Sequence, residues 1–137
     1  MHKIALPLAL MVGLAAAPSL AAISAAEPPV PGGDLGCVLR LATLVAKAGR
    51  TAEDTSASTE QRDHAARLQE TSLEEEAYFL GRLSMHEGDE QRRTDTAKLF
   101  KAFRAQSADQ QAREIATCSK WSRDQQVETL ETLKSKP

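Results

Sequence analysis

The sequence predicts an all-α fold, a small bundle of four to five helices stapled by one disulfide and preceded by an N-terminal signal peptide. Three observations carry this expectation. Apolar residues recur at the three- and four-residue spacing of a helix face in successive windows, and no strand-length run alternates with period two. Ser58 and Ser107 each stand three residues before a glutamine, the spacing of a capping box at a helix start. Cys37 and Cys118, 81 residues apart, are the two cysteines of the chain.

Residues 1–26 read as the signal peptide. Met1-His2-Lys3 is positively charged, Ile4 to Ala17 is uncharged and apolar with Pro7 and Gly13 inside it, and small residues follow from Pro18. The peptidase requires small side chains at minus 3 and minus 1. Ser24 and Ala26 meet that rule for cleavage before Glu27, and Ser19 and Ala21 meet it for cleavage before Ala22. Pro18 argues against an uncleaved anchor, because it interrupts the run before the ~20 residues of a bilayer crossing. Asp34, three residues before Cys37, argues against acylation of that cysteine.

Loss of the leader removes one lysine and no acid, leaving a chain one unit more negative than the −2 of the whole sequence. Such a balance gives no electrostatic ground for binding nucleic acid or an anionic membrane. No second apolar segment supports stable membrane insertion after cleavage, so a periplasmic or secreted location is expected.

Residues 27–33, Glu-Pro-Pro-Val-Pro-Gly-Gly, read as an extended linker, and 34–137 as a single helical domain. Asp34 is placed to cap a first helix, in which Cys37, Val38, Leu41, Leu44, Val45 and Ala48 share one face, and Gly49 is placed to end it. Residues 50–58 lack an apolar period and connect. From Ser58 a second unit follows, either one bent helix or two, since Thr71 and Ser72 can cap afresh. Within it Leu73, Ala77, Leu80, Gly81 and Ser84 line one face of the most apolar stretch, which reads as a central helix, with Gly81 admitting a close neighbour. Thr96, Leu99, Phe100 and Phe103 mark the stripe of a further helix over 90–106. Ala108, Ala112, Ile115, Cys118, Ser122, Leu130 and Leu133 share one side of the last.

An aromatic content of 4% makes the core thin, and the cysteines are its expected supplement. An exported chain with an even cysteine count is normally oxidised. Closing so long a loop is worth up to ~4.5 kcal/mol in the loop-closure model. A redox or metal-binding role for the thiols has no support in spacing: there is no Cys-x-x-Cys, and no histidine lies at ligand distance.

No catalytic constellation emerges, and no cofactor or metal is expected. His86 stands beside Glu87, Asp89 and Glu90, but tight metal sites recruit three or four fixed ligands. His64 follows Glu60 by four residues where di-iron bundles use three. Glu74, Glu75 and Glu76 point about 100° apart on a helix and do not converge on one atom. Trp121, at the edge of its helix's apolar face, and Tyr78, opposite the apolar face of its own, are the candidate contacts for a partner.

Cys37-Val38-Leu39, the Tyr78-Phe79-Leu80-Gly81-Arg82-Leu83 stretch and the late Cys118 together resemble a group of small exported two-cysteine helical proteins of alphaproteobacteria, for which no defined activity follows. In plan the chain is also similar to the HdeA-type periplasmic acid chaperones, small helical proteins with one disulfide joining early and late helices. Its loop between the cysteines is longer than theirs, and no functional residue carries over. The expected function is that of a non-enzymatic envelope protein that binds another protein or a peptide. The alternative is an acid-stress chaperone, suggested by 19 carboxylates whose protonation leaves the chain strongly cationic. The thin core leaves room for a homodimer through the Tyr78 to Met85 stretch.

Overall fold

The computed structural model describes residues 26–84 and 89–135, with 89–93 described in backbone alone. The apolar leader therefore lies outside the described residues, as do Met85 and His86. The rest forms four helices, α1 (Gly33–Glu53), α2 (Thr59–Leu83), α3 (Asp89–Arg104) and α4 (Ala108–Lys134). Among the described residues there is no strand. Cys37 of α1 and Cys118 of α4 form the expected disulfide, with their Cα atoms 5.5 Å apart.

The start of α1 differs from expectation. Its N-cap is Gly32, at φ 84 and ψ 7, and not Asp34. A left-handed glycine turns the chain straight from Pro31 into the helix. That turn places Asp34 in the first helical turn, where the helix dipole favours its carboxylate. Residues 27–33 lie on the domain and are not an extended tether: Pro28 is buried and Val30 packs against the core. Nor does Gly49 end the helix. It is buried against Gln69 of α2, whose Nε2 would stand 2.7 Å from an added Cβ, so it serves close approach and leaves the helix to run on. Termination comes at Asp54, whose Oδ1 accepts from the Ser56 amide at 2.8 Å and from the Ser56 hydroxyl at 2.6 Å.

Ser58 opens α2 with the full capping box. Its hydroxyl accepts from the Gln61 amide, and the Gln61 side chain accepts from the Ser58 amide at 2.9 Å. The helix continues through Thr71 and Ser72, so it is one unit, and Ser72 is buried inside it and caps nothing. Ser107 caps α4 by accepting from the Gln110 amide at 3.2 Å.

The central helix is α1, which packs against α2, α3 and α4, and not the Tyr78 to Met85 stretch. Its face of Cys37, Leu41 and Ala48 is buried as expected. The core gathers around the disulfide: Cys37, Leu41, Phe79 and Cys118 are fully buried, with Val30, Val38, Tyr78 and Trp121 packed on them. Phe79 stacks on Trp121 with ring centroids 5.7 Å apart and meets Tyr78 edge-on at 5.4 Å. On α3 only Phe103 of the expected stripe is buried, while Phe100 is exposed beneath the Arg104 guanidinium.

Residue pairs fix how α4 lies. Gly49 faces Gln69 and Asp34 faces Arg82, so α1 and α2 are antiparallel. Along α4, Cys118 and then Glu114 meet Cys37 and then Arg40, while Trp121 and then Arg123 meet Arg82 and then Glu75. A helix that runs against both members of an antiparallel pair crosses them and does not lie along them. Residues 126–135 are exposed all round as a result. The single buried side expected for α4 is thus reduced to Cys118 and Ser122, with Ile115 half-buried; Ala108, Ala112, Leu130 and Leu133 face solvent.

Candidate interaction site

The side of α2 expected to enter the core faces outward. Leu73 is 48% and Leu80 49% exposed, Ala77 and Ser84 are exposed with them, and a Cβ added to Gly81 would meet nothing within 4 Å. The inward side is a run of Ala65, Ser72, Glu75, Phe79, Arg82 and Leu83. With Leu68, itself 37% exposed, positions 65, 68, 72, 75, 79 and 82 follow an alternating three- and four-residue spacing. Three of those positions are polar or charged, which is why apolar periodicity selects the other face.

Much of the polar interior is paired. Among the described residues, each contact between two of α1, α2 and α4 holds an arginine–carboxylate pair, the arginine of the third, Arg123, being 59% exposed. Arg40 of α1 donates from Nε to Glu114 Oε2 of α4 at 2.8 Å. Arg82 of α2 donates from Nε to both oxygens of Asp34 of α1 at 3.0 Å. Arg123 of α4 donates from Nη1 to Glu75 Oε1 of α2 at 2.7 Å. Arg40 also donates to the carbonyls of Pro31 and Gly36, and its guanidinium lies 5.0 Å from the centre of the Phe103 ring. Arg82 donates to the Ala26 carbonyl and lies 4.9 Å from the centre of the Trp121 ring. Gln106 donates from Nε2 to Glu114 Oε1 at 2.9 Å. This fixes the amide so that its own Oε1 is buried without a donor.

The outward charges on the same stretch of α2 have one sign. From Glu70 to Leu83 its charged residues are Glu70, Glu74, Glu75, Glu76 and Arg82, and Glu75 and Arg82 are the two engaged inside. Glu70 and Glu74 are exposed, and Glu76 is half-buried beside Leu73 and Leu80. Burial holds the Glu76 carboxyl above its ordinary value, and among the described residues it has neither an ion pair nor a hydrogen bond.

The two candidate contact residues face the core: Trp121 is half-buried between Phe79 and Arg82, and Tyr78 half-buried against Phe79 and Trp121. Cys37 and Cys118 are bonded, hence no nucleophile. His64 is exposed, and the His86 cluster lies outside the described residues. Among the described residues no three His, Cys, Asp or Glu side chains come together in a way that would hold a metal ion. No described helix is long and apolar enough to cross a membrane. No protein-family model, curated protein or solved structure matches this chain.

Proposed function

We propose that this protein is a non-enzymatic helical protein of the bacterial envelope, exported to the periplasm or beyond, that binds another protein or a peptide. The carrying observation is the inversion of α2. Leu73, Ala77 and Leu80 face water while Ser72, Glu75 and Arg82 occupy the interior. An apolar helical face left outside a small core is the usual mark of a surface that another chain covers. The leader of charge, apolar run and small residues supports export. A photo-crosslinking residue at Leu80, with the same residue at exposed Thr59 as control, tests the reading in living cells. A discrete protein adduct from position 80 alone is expected; equal adducts from both positions, or none from 80, would overturn it.

A second reading, an acid-stress chaperone, is favoured by the arginine–carboxylate pairs between the helices. Arg40 and Arg82 depend on Glu114 and Asp34 as counter-charges in the interior, an arrangement that strong acid disturbs, while the disulfide keeps α1 joined to α4. Suppression of client aggregation at about pH 2 to 3 by the oxidised protein is then expected. Unchanged aggregation removes this reading.

A further inference from the structure

The outer face of α2 carries more than apolar area. Leu73, Ala77 and Leu80 are spaced i, i+4, i+7, the geometry that receives the apolar stripe of a second helix, and a Cβ added to Gly81 beside Leu80 would meet nothing within 4 Å. On α2 from Glu70 to Leu83 the outward charges, Glu70, Glu74 and Glu76, are all negative, and exposed Arg67 lies one turn before them. Glu76 already bears part of the cost of burial, and among the described residues no cation pairs with it. A second exposed apolar group among the described residues, Val127, Leu130 and Leu133 on α4, has mixed charges about it, with Lys120 paired to Asp124 and with Glu128, Glu131 and Lys134 alongside. It selects no partner.

We infer that the outer face of α2 seats a cationic amphipathic helix of a partner protein, with leucine-like side chains on Leu73, Ala77 and Leu80 and lysines or arginines on Glu70, Glu74 and Glu76. The inference rests on the binding role proposed above and names the chemistry of the partner. A second copy of this chain fits poorly, because a two-fold pairing of this face sets its three outward carboxylates against the same three. An anionic membrane surface is repelled for the same reason.

The test is an NMR titration of the isotope-labelled oxidised protein, in the processed form its cell accumulates. Three synthetic peptides share one leucine stripe and carry lysine, glutamine or glutamate at every other position. The lysine peptide is expected to shift the amides of residues 70–84 and to bind about tenfold or more tighter than the glutamine peptide, with the glutamate peptide weakest. Glu76→Gln should weaken the lysine peptide about fivefold while leaving the glutamine peptide unchanged. Leu73→Ser with Leu80→Ser should abolish both, with the helical content intact. Equal binding of the lysine and glutamine peptides at this face would overturn the cationic assignment and leave the binding role standing. Lysine-peptide shifts confined to α4 would overturn the site. A dimer that Leu80→Ser dissociates would make a second copy the occupant. No shift with any peptide would count against this inference and the binding role together.

Discussion

Arg40, 2% exposed, meets Glu114 one helical turn from the disulfide on both helices, so α1 and α4 are joined twice within a turn, once covalently and once by charge. Removing one partner of such a pair leaves the other charge buried without its counter-ion. Glu114→Ala is therefore expected to cost about 3–5 kcal/mol, and Arg40→Met with Glu114→Leu considerably less than that. Urea unfolding of Glu114→Ala, and of Arg40→Met and Glu114→Leu made singly and together, checks this, with a coupling energy between the last two well above that of a surface pair as the expected result.

How the sequence disclosed this fold depends on which residues face inward. Helix α1 was legible because Cys37, Leu41 and Ala48 are apolar and buried, and the starts at Ser58 and Ser107 were legible because capping is local chemistry. The inward face of α2 was not, because it uses Ser72, Glu75 and Arg82, whose partners Arg123 and Asp34 each lie 48 residues away. Charge complementarity over such separations has no periodic signature. Gly49 misled for a related reason: a glycine that ends a helix and one that admits a neighbour look alike until the neighbour is placed. The outward face of α2 was visible as a stripe but assigned to the core, since periodicity reports that a face is apolar and not what covers it.

The disulfide closes a loop of 81 residues and lies in the centre of the core, so reduction acts on both the unfolded and the native state. The Cys37→Ala, Cys118→Ala double variant is expected to lose about 2–5 kcal/mol relative to the oxidised protein. Thermal unfolding followed by circular dichroism, with and without reductant, measures the loss. The oxidised native protein should show no thiol reactive to an alkylating reagent.

Asp54 supplies a local pH probe. The Ser56 hydroxyl and then the Ser56 amide donate to its carboxylate and hold it below the ordinary 3.8. A carboxyl lowered in the folded state contributes stability that is present above its unfolded value and is lost as pH falls through the folded one. Carbon-13 titration of Asp54 should give a midpoint below 3.8, and Ser56→Ala should raise it. An unmoved midpoint in that variant would show that the turn's hydroxyl bond is not made in solution.

Two glycines separate crowding from propensity. A Cβ on Gly36 would collide with the Pro31 carbonyl oxygen, a backbone atom of the segment that carries buried Pro28 and core-packed Val30 and that Arg40 binds. Gly36→Ala must push that segment off α1, and a cost of about 1–3 kcal/mol is expected from overpacking, with Val30 moved from the disulfide core. At Gly81 a Cβ meets nothing within 4 Å, and the residue lies inside α2 near its end. There only helix propensity changes, and Gly81→Ala should stabilise by about 0.5–1 kcal/mol. Denaturant midpoints of the two variants should move in opposite directions. The second variant also adds a methyl beside Leu80, so a stability gain accompanied by weaker binding of a leucine-striped helix would locate the ligand's approach at that end of α2.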